Sequence, residues 1–400
     1  MMRHTSKAVI TGMGCLSGAG DTLQDNMTSL FNAVRNFAAP QRFSTDHIHP
    51  YPVFEVQKNG GDPNRPVDPL LSRTCSLMLA AAQEAISQSG LCENHFLNKR
   101  IGICIGTSVG STPNAIDFYD DFRSLRSPEL GPVHRFLSSN PAACLAREYG
   151  TNGPVQTVVN TCSSGTDAIG IASSWISQDL CDIVLAGGAD ELSKVSYNGF
   201  ASLMILDPGC SKPFDKSRAG LNLGEGAGIM VLESVNMAKE NGHRVLGKIL
   251  GYGSACDGYH LVSPHPEGRG LKTAIDQALG FSKIKKKQIT FVNAHGTGTL
   301  ENDRVESIVL ADRLPGVPFF STKGCTGHTL GAAGAIEAIY TLACLNKQQI
   351  PPSAGFATPA LDTPASPVSE ILSINGSIGI SQSLAFGGNN SVLVIEGRQD

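Results

Sequence analysis

Short β-rich runs and helical patterns follow one another along the whole chain, and this alternation limits the fold more than any other feature. Residues 155–161 read as a strand, 168–176 as a helix, 182–186 as a strand and 226–233 as another. Within the helical stretch, Ala168, Ile169, Ile171, Ala172, Trp175 and Ile176 fall at i, i+1, i+3, i+4, i+7 and i+8, which is one helix face with few polar interruptions. Strands alternating with helices give the α/β class, and a helix this apolar is expected to be well buried.

The alternation is also doubled. Ala8-Val-Ile-Thr-Gly-Met-Gly14 is echoed by Lys248-Ile-Leu-Gly-Tyr-Gly253, each read as a short strand running into a glycine turn. The same succession then returns through 289–293, 318–321, 331–345 and 392–396. Two similar α/β halves, 1–250 and 251–400, account for 400 residues without an obvious linker.

Composition agrees with a large, closely packed protein. Charged residues are 16% of the chain, against roughly 25% for an average soluble domain, and 44 of the 400 residues are glycine. This argues for extensive buried surface and a subunit interface, and against disorder or coiled coil. A net charge of −4 supplies no positive field for nucleic acid or anionic lipid. No apolar run approaches the ~18 residues of a membrane span. Met1-Met2-Arg3-His4 leads into a strand-like 7–11 rather than a signal-peptide core, so a cytoplasmic location is expected. The eleven cysteines are scattered and form no Cys-x-x-Cys pair, so neither a disulfide framework nor a zinc site is expected.

Candidate chemistry clusters in a few loops. In Val159-Asn-Thr-Cys162-Ser-Ser-Gly165 a β-rich run stops and the buried helix begins, which sets Cys162 at or near a helix N-terminus. Unpaired backbone N–H groups and the helix dipole favour a thiolate there, with a pKa below the free value of ~8.5. The other reading is a small buried hydrophobe. Two histidines sit in glycine and threonine just after strand-like runs, His295 in Asn-Ala-His-Gly-Thr-Gly-Thr and His328 in Lys-Gly-Cys-Thr-Gly-His-Thr. Flanking glycines let a substrate approach the backbone, whereas a lone histidine on an apolar face is usually only satisfied by hydrogen bonds. Glu337 stands in the nearly apolar stretch 331–345 and needs a partner, for which Lys323 is the candidate; a wet edge is the alternative. Ser383-Leu-Ala-Phe386-Gly-Gly-Asn-Asn390 reads as a hairpin turn, or as one that offers a backbone N–H toward a thioester carbonyl.

Other patterns carry less. Gly106-Thr-Ser108-Val-Gly110 satisfies the Gly-x-Ser-x-Gly elbow of an α/β-hydrolase, but the proline in 111–114 delays the helix such an elbow needs. Gly224-Glu-Gly-Ala-Gly228 runs into a strand and so is no dinucleotide fingerprint. The basic run Lys283-Ile-Lys-Lys-Lys287 reads as solvated surface, or as a contact for an acidic carrier protein.

Taken in order, the Cys162 junction, Ser211-Lys-Pro-Phe-Asp215 with Gly224 to Gly228, the His295 loop, the His328 loop and Phe386-Gly-Gly resemble the β-ketoacyl-ACP synthase family, elongating type, of the thiolase superfamily. The resemblance spans about 7–397. It implies a thiolase-like fold, with two pseudo-symmetric βαβαβαββ halves in a five-layered α/β/α/β/α sandwich, usually as a homodimer. It implies an acyltransferase with no cofactor of its own, its substrates carried on the phosphopantetheine arm of acyl carrier protein. Cys162 is then the acyl-accepting nucleophile, and His295 and His328 fill the two catalytic histidine positions. Lys323 and Glu337 match a supporting ion pair, Thr297 and Thr299 match contacts to the pantetheine arm, and Val109 matches the bottom of the acyl pocket. The N–H groups of Cys162 and Phe386 would hold an oxyanion.

Three positions differ from the common pattern. Ser163-Ser164 after the cysteine is more similar to polyketide ketosynthases, and Ala385 replaces a glycine before Phe386, which is expected to alter gating by that loop. Hence the alternative to fatty-acid elongation is a type II ketosynthase of an aryl-polyene or polyketide pathway, as active subunit of a heterodimer with a chain-length factor. A non-enzymatic chain-length partner would lack the cysteine, and a thiolase would need a second one as base.

Overall fold

The computed structural model describes residues 8–57, 71–110, 116–124 and 126–398. Residues 1–7 and the proline-containing 111–114 lie outside the described residues. Ten strands join in one sheet among the described residues: β1 (Ala8–Ser17), β2 (Ile101–Gly106), β3 (Val155–Val158), β4 (Ile183–Asp190), β5 (Gly226–Ser234), β6 (Gly247–Cys256), β7 (Phe291–Asn293), β8 (Phe319–Phe320), and, after a two-stranded ribbon of β9 (Gln349–Ile350) and β10 (Leu372–Ser373), β11 (Ile378–Ala385) and β12 (Asn389–Gly397). Their order is β3-β2-β4-β5-β1-β6-β12-β11-β7-β8. That order reads the same from both ends once β6, β7, β8, β11 and β12 are matched to β1, β2, β3, β4 and β5. The parallel or antiparallel sense agrees at every matched pair. The two sets of five meet where β1 and β6 pair at Val9↔Lys248 and Ile10↔Gly247.

The glycines of the doubled motif form no turn. Gly12 and Gly14 lie inside β1, and Gly251 and Gly253 lie inside β6. A Cβ at Gly12 or Gly14 would stand 2.0 Å from the carbonyl oxygen of Ala85 or Ala81, in the helix Arg73–Ser89. At Gly251 and Gly253 it would meet Ala278 O at 2.2 Å and Ala274 O at 2.1 Å, in the helix Arg269–Ser282. Glycine is therefore required for a helix to lie directly on the strand, and the same device recurs at matching places in both halves.

Two helices form the middle layer. Ser164–Ser177 packs on β2 and β4 and also on β6 and β12, and Ala333–Lys347 packs on β4, β5, β11 and β12. Arg73–Ser89 and Pro141–Tyr149 cover the outer face of the first half, and Arg269–Ser282 backed by Leu300–Arg313 covers the second. The result is the α/β/α/β/α order of layers. The central helices approach one another at glycines: a Cβ on Gly165 would lie 2.8 Å from Gly331 O and Ala335 N, and one on Gly334 2.0 Å from Thr166 Oγ1. β1, β2, β4 and β5 are buried almost throughout, which is why they read as apolar runs rather than as period-two strands. β3 ends at Val158 and the next helix begins at Ser164, earlier than the apolar periodicity indicates, because its first turn is built from Ser164, Gly165 and Thr166.

Candidate active site

The segment between β3 and the central helix is tightly tied. Thr161 has φ +51°, unusual for a β-branched residue, and its hydroxyl donates to Phe386 O at 3.0 Å. The Ser164 hydroxyl donates to Thr161 O at 2.7 Å and accepts from Asn160 N–H at 2.7 Å. Asp167, in the helix's first turn, accepts from Asn160 Nδ2 at 2.6 Å, Ser163 Oγ at 2.9 Å and Tyr252 OH at 2.8 Å, and also from Ser391 Oγ. Both halves thus hold the turn that carries Cys162. The side chain is 4% exposed. The expectation of a lowered thiol pKa fails: burial pushes it up to about 11, although Lys323 and the N–H groups of Phe386 and Cys162 itself pull it down. Taking charge out of water outweighs the helix terminus here.

β7 delivers His295 and the segment after β8 delivers His328. Their ring centroids are 5.2 Å apart at 84°. Burial and the nearby Lys323 ammonium depress both imidazole pKa values well below 6.5, so both rings are neutral at pH 7. The Leu330 N–H donates to Nδ1 of His328 at 3.1 Å, and the Lys323 ammonium lies 3.0 Å from Nδ1 of His295. With Nδ1 occupied as acceptor in both, each ring keeps its proton on Nε2. Lys323, 1% exposed, also donates to His295 O at 2.7 Å and to Glu337 Oε1. The expected Lys323–Glu337 pair is therefore present and fully buried; burial raises Glu337 to about 7 despite the ammonium, and among the described residues no group bonds its Oε2.

Cys162, His295, His328, Thr297, Thr299 and Phe386 line one cavity of about 220 Å3. Phe386 forms, with Gly387 and Gly388, the turn of the β11–β12 hairpin, and its ring stacks on Phe200 at 5.4 Å. Ala385 is extended (φ −128°, ψ 155°), a conformation open to any residue, so alanine there does not restrict the loop; Gly387 and Gly388 take the positive φ angles. Val109 does not line the cavity. It packs on a neighbouring cluster that contains Leu192, Tyr197 and Leu330, with Phe200 at the border. Ser108 forms no hydrolase elbow: among the described residues nothing hydrogen-bonds its hydroxyl, and its N–H donates to Asp190 at 2.7 Å. The lysines of 283–287 are exposed, at the end of Arg269–Ser282 remote from the cavity.

Three carboxylates absent from the sequence expectations hold the loops. Glu306 accepts from His295 N–H at 2.6 Å, Gly296 N–H at 2.7 Å and Gln382 Nε2 at 2.6 Å. Asp303 accepts from Thr297 N–H at 3.0 Å and Phe214 N–H at 2.6 Å. Asp190 accepts from Gly331 N–H and Thr107 Oγ1, both at 2.6 Å. The available signal was Asn302, Asp303 and Glu306 at helical spacing directly after the His295 loop, and an acid ending the apolar run of β4.

The β-ketoacyl synthase N-terminal domain matches residues 5–238 and the C-terminal domain residues 246–357. A 3-oxoacyl-[acyl-carrier-protein] synthase 2 from Synechocystis sp. is 30% identical over 98% of both chains. A protein of Streptomyces cyaneus described as a polyketide beta-ketoacyl synthase is 35% identical over 72% of both. Among solved structures, the ishigamide ketosynthase/chain length factor is 29% identical, with a TM-score of 0.93 over 99% of this chain and 100% of that one. The fold is accordingly the thiolase-like one, and the chain belongs to the β-ketoacyl synthase family.

Proposed function

We propose that the protein is a 3-oxoacyl-ACP synthase whose nucleophile lies in an N-terminal half and whose two histidines lie in a C-terminal half; the expected division into 1–250 and 251–400 falls inside β6 (Gly247–Cys256), so the second half is taken from the start of that strand. The observation that carries this reading is the pair of imidazoles, each with Nδ1 engaged, lining one cavity with a buried thiol. Cys162 Sγ attacks the thioester carbonyl of acyl-ACP; the C–S bond to pantetheine breaks, and the proton of Cys162 leaves with the pantetheine thiol. The N–H groups of Cys162 and Phe386 stabilise the tetrahedral oxyanion. Malonyl-ACP then loses carbon dioxide, and its enolate oxygen accepts from Nε2–H of His295 and of His328. The carbanion attacks acyl-Cys162, the C–S bond breaks, and the released thiolate takes up one proton. Lys323 and Glu337 keep His295 in its donor tautomer, while Thr297 and Thr299 contact the pantetheine arm. We take the acyl chain to end against Val109, which packs on the same cluster as Phe200, a residue that does line the cavity.

No cofactor of its own takes part in this scheme. The reading includes a homodimer in the cytoplasm; among the described residues no helix is long and apolar enough to cross a membrane. A second reading, a type II polyketide or aryl-polyene ketosynthase paired with a chain-length factor, is favoured by the likeness to the ishigamide proteins and by the Streptomyces relative. The test is to incubate the protein with a panel of acyl-carrier proteins and weigh the acyl-enzyme. An acyl group on Cys162 and condensation with malonyl-ACP are expected; acyl transfer to Ser108 or to another cysteine refutes the assignment.

A further inference from the structure

The two oxyanion donors of the scheme above come from different halves of the chain: Cys162 N–H from the segment after β3, and Phe386 N–H from the turn between β11 and β12. An oxyanion gains from both donors only if they converge, so the halves must be fixed to each other at this point. The first turn of the helix Ser164–Ser177 does this with two adjacent side chains. Thr166 Oγ1 and Ser383 Oγ share a hydrogen bond at 2.8 Å, and Asp167 Oδ1 accepts from Ser391 Oγ. Ser383 and Ser391 face one another across the β11–β12 hairpin, so both of its strands are gripped on one rung, with Ser383 three positions before Phe386.

Asp167 divides its bonds between the halves. Oδ2 takes Asn160 Nδ2 at 2.6 Å and Ser163 Oγ at 2.9 Å, from residues that flank Cys162. Oδ1 takes Ser391 Oγ in β12 and, at 2.8 Å, Tyr252 OH in β6. The Tyr252 ring is itself seated on the helix, where a Cβ on Gly170 would stand 2.4 Å from its Cγ. Burial and the Asp167 charge push the Tyr252 phenol well above its ordinary pKa, so it remains a donor. Asp167 is 3% exposed and Ser391 is fully buried, which shields the bond between them from water.

We propose that Asp167 is a positioning residue for acylation: with two donors from the nucleophile turn on one oxygen and two from the opposite half on the other, it sets how far apart the N–H groups of Cys162 and Phe386 stand. This role rests on the condensing reaction proposed above and deepens it. In that reaction the enolate formed on decarboxylation lies on His295 and His328 instead, whose loops are held by Glu306, Asp303 and Asp190. The two half-reactions should therefore respond differently when Asp167 is disturbed, whereas a loss of overall packing would lower both.

Two rates are measured on the full chain: acylation of Cys162 by acyl-ACP, followed by intact mass, and carbon dioxide release from malonyl-ACP alone. Asp167→Ala is expected to slow acylation about 10²-fold, the cost of misplacing a reacting group by about 1 Å, and to leave carbon dioxide release within about twofold of wild type. Tyr252→Phe removes one donor and keeps both the carboxylate and the ring, and should slow acylation about tenfold, the kinetic equivalent of one hydrogen bond. In the Asp167→Ala background the same change should add less than about twofold, because its effect passes through the carboxylate. Equal losses in the two rates, unchanged acylation, or effects of the two substitutions that simply multiply overturn the positioning role alone. Should Asp167→Ala fail to fold, the ratio of the two rates in Tyr252→Phe decides the matter by itself. Wild-type protein that neither becomes acylated nor releases carbon dioxide overturns the condensing reaction, and the role of Asp167 with it.

Discussion

Alkylation of Cys162 in the free enzyme puts the balance between burial and the helix terminus to a direct test. With a thiol pKa of about 11 in place of the ordinary 9.0, the thiolate fraction at pH 7.5 falls from roughly 3% to about 0.03%, a factor of about 100 or ~2.7 kcal/mol. A more basic thiolate is intrinsically more nucleophilic, and a Brønsted slope of ~0.45 over two pKa units returns a factor of about 8. Cys162 should therefore react with iodoacetamide about tenfold more slowly than a free thiol at pH 7.5, and its rate should rise about tenfold per pH unit without levelling before pH 10. Cys92 and Cys256 are exposed and would be labelled first, so a Cys92→Ser/Cys256→Ser background is used, with intact mass and peptide mapping as the readout. Adding Lys323→Met with Glu337→Gln, which removes both buried charges together, should push the thiol higher still and slow labelling further. A rate that levels off below pH 8.5 would refute the argument and restore the helix terminus as the dominant influence. The chemical implication is that acylation proceeds from the neutral thiol, with proton transfer accompanying C–S bond formation.

His328→Ala should still form some acyl-Cys162 but lower carbon dioxide release from malonyl-ACP by about 10²–10³, measured directly; an unchanged rate removes His328 from that step. The histidines are neutral in the fold and take up protons only when it unfolds, so their contribution is present above pH 6.5 and lost as pH falls below it. The difference in urea-unfolding free energy between wild type and His295→Asn/His328→Asn should accordingly change by up to ~2.7 kcal/mol per pH unit below 6.5, and a pH-independent difference refutes this. Gly12→Ala should destabilise the protein by about 1–3 kcal/mol or prevent folding, because its Cβ meets a helix carbonyl, whereas Gly199→Ala, with nothing within 4 Å, should leave Tm the same or raise it. Val109→Phe should depress condensation of long acyl chains more than short ones, compared across carrier-bound chains of increasing length; equal slowing places the chain terminus elsewhere.

The sequence made the alternation of strands and helices legible, and with it the repeat, because buried strands leave short apolar runs and a buried helix leaves a periodic apolar face. It misread Gly12, Gly14, Gly251 and Gly253 as turns, since glycine marks a sharp bend and a close helix contact alike, and only the neighbouring carbonyl tells them apart. Cys162, His295 and His328, which line one cavity, were singled out because small residues flank them at strand ends. The rise in the Cys162 pKa was not legible: a motif records the helix terminus beside a thiol, whereas desolvation depends on every atom that packs around it. Glu306 and Asp303 were missed because their work is done on backbone N–H groups of the neighbouring loop, which no side-chain pattern reports.

The crossing of the two central helices at Gly165 and Gly334 limits how far the halves can be treated as modules. Each glycine faces the other half, where a single methyl group would strike Ala335 N or Thr166 Oγ1. A chimera that joins the front of one relative to the back of another therefore inherits a fit cut for a different counterpart, and a side chain gained on one side must be matched by space released on the other. Laboratory recombination would succeed best if the residues around 165 and 334 are transferred together as one unit, even though 169 positions separate them in the chain.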